Sequence, residues 1–390
     1  MGGGSSHTIT QVRPRPERLQ RLPQQYFVAL LGRVAAAAAQ EGPPLVDLGR
    51  GNPETGPPPH VIEALRASVL EPAVHGYAPI RGLPRTREAI AARYRDVYGV
   101  ELDPETEVAV VPGTKTAIVE LALSLCDEGD TLLVPDPYYP DYPSGPALAG
   151  ARMETVPLRP DDGWSPDLDA APAAAALYLN YPSNPCAVCA PPGTFESAVR
   201  WAQRTGGAVV HDAAYMDLVY DGRKPQSFLA TPGAKDVGVE MWSMSKTYGM
   251  AGWRVGFVLG NAEIVERINL LNDHNRVGIF APMQAATIAA LEGPQDSVAE
   301  RVAAYARRRD LLASALPEPI TCEGTFFVWL RLPKGLTAEE LLLEHRVAVA
   351  PGEGFGLSGA GWARLSLAVP DETIKLGAER LQRAFAAVAA

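Results

Sequence analysis

The sequence predicts an α/β protein: a large domain with a mainly parallel sheet of the seven-stranded type flanked by helices, and a smaller α+β domain. Two observations carry this. From about residue 60 the chain alternates helical periods with short apolar runs ending in turn residues, the pattern of βα units. Near Glu292-Gly293-Pro294 that alternation stops, and a long Arg-rich helix leads into separated apolar strands.

In chain order, residues 1–20 open with "MGGGSSHTIT" and hold no basic stretch followed by an apolar one, so no secretory signal is read. They are expected to be a disordered tail or an expression remnant. Residues 21–58, with the Ala-rich helix "VAAAAAQEG" from Val34 to Gly42, are expected to join the smaller domain. Residues 59–292 form the large domain, with strands at "EVAVVPG", "DTLLVPDP", "AALYLNYP", "GAVVHDAAY", "VEMWSMSK" and "WRVGFVLG". After the first of these, Ala117, Leu121 and Leu125 recur every fourth residue and give the helix from Thr114 to Cys126 an apolar face. Residues 293–390 form the smaller domain: the helix "DSVAERVAAYARRRDLLASAL", the strand "TFFVWLRLP", a second helix, then "VAVAPGEGFG" and "WARLSLAV".

Composition narrows the function. The chain has 390 residues, 47% of them hydrophobic, enough for a large core. A formal net charge of −10 argues against nucleic acid or an anionic membrane surface as partner. No apolar run approaches the roughly 20 residues of a membrane span. Four cysteines make no disulfide framework and fit a reducing cytoplasm. Only six of the 35 basic residues are lysines, so a lysine inside an apolar segment draws attention.

In an open parallel sheet, ligands bind beyond the carboxyl ends of the strands. "VVPGTKTA" sets Gly113, Thr114 and Lys115 between a strand and a helix, where free N–H groups and the positive helix end suit a phosphate; an ordinary βα turn would read the same. "VVHDAAY" ends a strand in Asp212, with Tyr215 three residues on; such an Asp also serves as a helix cap. In "MWSMSKTYGMAGWR", Lys246 follows an apolar strand, with Ser243 and Ser245 before it and Arg254 after it. A partly desolvated lysine near other cations has a lowered pKa and can act as a Schiff-base nucleophile. The alternative is a solvated loop lysine beside a salt-bridged arginine.

Together these residues meet the needs of pyridoxal phosphate: a lysine, a carboxylate for the ring nitrogen, donors to the phenolate oxygen, a phosphate cradle and an aromatic face. From about Leu22 to its C-terminus the sequence resembles the fold-type I, class I/II aminotransferases. The resemblance implies that Lys246 carries the cofactor as a Schiff base, with Ser243, Ser245 and Arg254 as phosphate ligands. It implies Asp212 at the ring nitrogen, Tyr215 and Asn184 at the phenolate oxygen, Gly113-Thr114-Lys115 at the phosphate, and Tyr139 stacked on the ring. Tyr77 in "HGYAPIRGLP" resembles the tyrosine that reaches the phosphate of the neighbouring subunit, which implies a homodimer with shared active sites. Arg364 in "WARLSLAVP" resembles the arginine that forks the substrate α-carboxylate, and Gly51 in "DLGRGNPETG" a backbone contact to it. Asn184 and Tyr139 are expected to touch substrate as well.

"NYPSNPCAVC" corresponds to the family's Asn-Pro-Thr-Gly turn, with Cys186 for Thr and Ala187 for Gly, and Ala213 stands where the family has Glu. The Cys186/Cys189 spacing also reads as a redox pair or half a zinc site, but no second such pair or nearby His accompanies it. The implied reaction is transamination between an α-amino acid and a 2-oxo acid. "RLPQQYFVAL", "YPDYPSG" and "KTYGMAGWRVGF" look most like a bacterial subgroup that includes methionine-salvage aminotransferases acting on 4-methylthio-2-oxobutyrate. Phe326, Phe327 and Trp329 could line an apolar side-chain pocket or simply fill a buried strand. The polar run "NDHNR" ending at Arg276 could reach a polar substrate or form a helix surface. A C–S β-lyase of the same fold would share these motifs. A transcription regulator with an aminotransferase-like domain would carry a basic DNA-binding module first, and only about 20 residues precede the resemblance.

Overall fold

The computed structural model describes residues 14–317 and 319–389. A short strand, β1 (Val46–Asp47), precedes the main sheet. That sheet consists of β2 (Val108–Val111), β3 (Thr131–Asp136), β4 (Arg152–Pro157), β5 (Ala176–Asn180), β6 (Ala208–Asp212), β7 (Gly238–Ser243) and β8 (Gly256–Gly260). Its spatial order is β2-β8-β7-β6-β5-β3-β4, and only β8 runs against its neighbours. A separate antiparallel sheet has β9 (Phe327–Arg331), and a two-stranded parallel pair joins β1 to β10 (Val347–Ala348). β11 (Ala350–Pro351) and β12 (Trp362–Ser366) complete the small sheet in the order β11-β12-β9.

The main sheet is covered on both faces, which is why its strands read as continuous apolar runs. Alternate residues pack into two different cores: Leu177, Leu179, Val209 and Trp242 on one side, Tyr178, Val210, Met241 and Val258 on the other. A third core, with Leu48, Phe326, Val328, Leu365 and Leu381, lies under the small sheet. The strand β4 has no counterpart among the sequence expectations. It lies at the sheet edge, and only Val156 of its six residues is buried, so it presents no apolar run.

Residues 1–13 of the expected tail lie outside the described residues. Residues 17–20 form a short helix, Glu17–Gln20, none of it buried. The segment after the helix Tyr26–Ala38 is tied to the chain's far end: Val46 and Asp47 register with Val347 and Ala348, and Ser366 N donates to Leu48 O (2.7 Å). Because β2, β3, β5, β6 and β7 run the same way, their carboxyl ends and the start of β8 share one edge.

Candidate active site

At that edge lies a cavity of about 550 Å³. It is bordered by Gly51, Thr114, Lys115, Tyr139, Asn184, Asp212, Tyr215, Ser243, Ser245, Lys246, Arg254 and Arg364, all read from the sequence. Gly113 stands just behind Arg254, and Tyr77 lies outside the cavity on the surface, 93% exposed.

Lys246 sits in the short helix Met244–Thr247 that follows β7, where Ser243 Oγ caps the turn by accepting from Ser245 N (3.1 Å). Its Nζ donates to Gly51 O (3.1 Å) and lies above the rings of Phe326 (5.1 Å) and Tyr215 (5.7 Å). Burial pulls the amine down to about 7, helped by the Arg364 and Arg254 charges and opposed by Asp212. Thr247 Oγ1 donates to buried Asp217 Oδ2 (2.8 Å), while Asp217 Oδ1 accepts from Arg93 Nη2 (2.9 Å) and Tyr98 Oη (2.6 Å). This network fixes the turn from beneath, and no sequence motif announces it.

Asp212 ends β6 and is buried. Tyr142 Oη donates to Oδ2 (3.0 Å) and Ala214 N to Oδ1 (3.2 Å). Burial holds the carboxyl above its ordinary value, and these donors together with the His211 and Lys246 charges pull it back. Asn180, absent from the sequence expectations, donates from Nδ2 to Asp212 O (2.8 Å) and accepts Asn184 N at Oδ1 (2.7 Å). One amide thereby braces β6 against the turn carrying Asn184.

Arg364, in the middle of β12, is 1% exposed. Nη1 donates to Asn184 Oδ1 (2.9 Å), Nη2 to Gly49 O (3.4 Å), and Nε has no partner among the described residues. Rings of Phe327 (3.9 Å), Phe355 (4.9 Å) and Phe27 (5.3 Å) surround it. Burial brings the guanidinium down to about 10. Among the described residues it has no carboxylate partner, so a buried cation with a bare donor awaits an anion.

A second anion-receptive corner lies at the start of the helix Thr114–Leu125. Its cap, Gly113 at φ +85°, has no side chain to satisfy the first N–H groups, and a Cβ there would collide with the Arg254 guanidinium. Arg254 donates to Ala251 O (2.8 Å) and Pro112 O (3.2 Å). Lys115 turns its ammonium to Asp141 (2.8 Å). Tyr139 presents its ring between Phe27 (6.1 Å) and Tyr142 (5.8 Å).

In the Asn184 turn, Ala187 holds φ +59°, the left-handed region that glycine adopts without cost. It is clamped by its own N–H to Ser183 O (2.8 Å) and by Glu323 N donating to its carbonyl (2.8 Å). Cys186 and Cys189 are buried free thiols; burial pushes Cys189 up to about 12 and Cys186 higher still. Among the described residues no three His, Cys, Asp or Glu side chains form a metal-binding group.

The apolar lining differs from the expected one. Phe327 borders the cavity, but Phe326 packs under it in the small core, and Trp329 stacks on Trp362 (5.7 Å) further along the strand. The main apolar wall comes from Phe27, Leu30, Leu31 and Val34, a helical stripe whose spacing is legible once a pocket is placed beside it. The run ending at Arg276 stays away: Asp273 pairs with Arg81 (3.4 Å) and Arg276 donates to Val110 O (2.7 Å).

Comparison with known proteins gives a consistent answer. Residues 43–381 match the family model for aminotransferase class I and II. The L-glutamine--4-(methylsulfanyl)-2-oxobutanoate aminotransferase of Bacillus subtilis (strain 168) is 46% identical, over 93% of this chain and 94% of that protein. The glutamate-pyruvate aminotransferase AlaC of Escherichia coli (strain K12) is 38% identical, over 96% and 95% respectively. The substrate-bound structure of BacF from Bacillus subtilis superposes with a TM-score of 0.90 at 35% identity, covering 95% of this chain and 98% of that one. The chain belongs to the class I and II aminotransferases and is an aminotransferase.

Proposed function

We propose that the protein moves an amino group between an apolar α-amino acid and a 2-oxo acid, with 4-(methylsulfanyl)-2-oxobutanoate, the methionine oxo acid, among its acceptors. Pyridoxal 5'-phosphate is the proposed cofactor. The observation that carries this reading is the Lys246 amine, pulled down to about 7 in a cavity that also holds a buried Asp212 and a bare Arg364 donor. The donor set fits such a group: an uncapped helix start with Arg254, Ser243 and Ser245 for a phosphate, Asp212 for a ring nitrogen, and Tyr215 and Asn184 for a phenolate oxygen. When bound, the cofactor supplies an electron sink for the bond broken at the substrate Cα.

The chain's own residues do the rest. Arg364 with Asn184 holds the α-carboxylate, which fixes the orientation of the Cα–H bond. Near neutral pH a substantial share of the Lys246 amine is unprotonated, so it can take a proton from that carbon and return it. Asp212, kept buried against Tyr142, would hold a cationic ring nitrogen. The wall of Phe27, Leu30, Leu31 and Val34 excludes water and suits a thioether or other apolar side chain. In this reading 59–292 form the cofactor-binding domain, with 21–58 and 293–390 as the small domain. The enzyme is a cytoplasmic homodimer, supported by four buried free thiols and by the exposed Tyr77, which would reach the neighbouring site.

The test is a panel of amino acids scored in single turnover by cofactor absorbance, including methionine, aromatic residues, glutamate and glutamine. Stoichiometric amino transfer from methionine is expected. Pyruvate and ammonia released from a cysteine conjugate would favour a C–S β-lyase instead.

A further inference from the structure

We propose that Asp141 is a positioning residue for the apolar wall: by taking the amide of Gln25 it sets where Phe27, Leu30, Leu31 and Val34 stand beside the cavity. This rests on the substrate reading above, in which that wall receives the amino acid's side chain. Gln25 caps the helix Tyr26–Ala38, and its amide is used at both ends. Oε1 accepts from Val28 N (2.9 Å), which closes the first turn, and Nε2 donates to Asp141 Oδ1 (2.9 Å).

The helix needs such a fixing point. Of its 13 residues only Leu30, Val34 and Ala37 are buried, so packing alone holds it lightly. Its other polar contacts reach the small-sheet end of the chain. Tyr26 Oη donates to Pro351 O (2.7 Å), Arg33 lies 3.8 Å from Glu339, and Arg346 Nη1 donates to Ala37 O (2.7 Å). Among the described residues the Gln25–Asp141 bond is the one polar link from this helix to the main-sheet side, which carries Lys246 and Asp212.

Asp141 itself stands among groups assigned to the cofactor. It follows β3, is buried, and its Oδ2 lies 2.8 Å from Nζ of Lys115, in the first turn of the helix Thr114–Leu125. Burial raises the Tyr139 hydroxyl well above its ordinary value, and the Asp141 carboxylate raises it further. One carboxylate thus ties the wall to the phosphate corner and to the ring beside it. A hydrogen bond to a charged, buried acceptor is of the stronger kind, and its loss would release the first turn of the wall helix. A long apolar side chain that reaches the wall would feel that displacement, and a methyl group would not.

The test variant is Gln25→Glu, which keeps an acceptor for Val28 N but turns the donor into an oxygen facing the Asp141 carboxylate. In the holoenzyme, kcat/KM for methionine relative to alanine should fall at least fivefold, through KM, with kcat for methionine within about twofold of the wild type. In cofactor-free protein, hydrogen exchange at amides 29–34 should quicken at least about fivefold, while amides 38–40, beside the Arg346 anchor, change less than about twofold. Adding Asp141→Asn to Gln25→Glu exchanges donor and acceptor across the same link, and should bring both readouts back to within about twofold. A methionine-to-alanine ratio unchanged in Gln25→Glu, or not recovered by the exchanged pair, would overturn the proposal. A wild type that uses alanine but not methionine would overturn the substrate reading instead, and hydrogen exchange would then decide the link alone.

Discussion

Lys246 is held in a state that costs the fold stability. An amine pulled down to about 7 is charged in both folded and unfolded chains at lower pH, where its burial cost is borne in full. That cost fades as pH rises from about 7 towards 10.5, because only the unfolded chain still binds the proton. In cofactor-free protein, Lys246→Met should gain roughly 2 kcal/mol at pH 7, discounted for partial exposure, and less than about 1 at pH 10. Urea unfolding at the two pH values would show it; a gain equal at both would remove the electrostatic explanation. At this scale the sequence was largely legible, since Lys246, Asp212, Asn184 and Arg364 each sit in a short motif with a chemical reason. Asn180 and Asp217 were not, because a bracing amide or buried carboxylate is recognised only by what folds against it. The departure at Ala187 resolves into local cost: a left-handed alanine loses about 1–2 kcal/mol, partly returned by burying its methyl group.

Among elements, the turn after β7 shows how a scaffold positions a reactive group. Thr247 lies next to Lys246 and hangs from Asp217, which belongs to the segment following β6 and is itself gripped by Arg93. The segments that follow these two paired strands, one presenting the central lysine and the other its facing carboxylate, are thus joined through a buried side-chain hydrogen bond. Thr247→Val keeps the shape and removes that bond, leaving a buried carboxylate oxygen short of a donor. The expected result is a loss of about 1–3 kcal/mol in stability with kcat lowered roughly tenfold and KM for methionine little changed. Restoration by Thr247→Ser would tie the effect to the hydroxyl. Strand β4 and the stripe of Phe27, Leu30, Leu31 and Val34 mark the limits of reading elements from pattern. An edge strand with one buried residue carries no apolar run, and an amphipathic helix does not say which cavity its face will close. The small-domain strand was read correctly, but its alternation sends Phe327 to the site and leaves Phe326 in the core beneath.

For the whole molecule, the proposed homodimer turns on Tyr77 and the exposed side chains near it. Leu70, Tyr77, Val277 and Phe280 are exposed at 74, 93, 58 and 41%, and His75 rests against Phe280 (6.0 Å). In the proposed dimer Tyr77 would contribute a hydroxyl to the neighbouring phosphate. Tyr77→Phe is then expected to weaken cofactor binding about tenfold while the dimer persists. Fluorescence titration with the cofactor, alongside sedimentation, would check this, and unchanged affinity would remove the residue from the site.

The pairing of β1 with β10 carries a consequence for how the enzyme is made. Val46 leaves the ribosome before any strand of the main sheet but finds Val347 only after all of them have emerged, and Gly49 must wait longer still for the guanidinium of Arg364. The large sheet can condense meanwhile, since its strands come from a continuous stretch of chain. The reactive pocket is therefore completed only once β12 has been made, and full affinity for cofactor and carboxylate should distinguish chains that include Arg364 from chains interrupted before it.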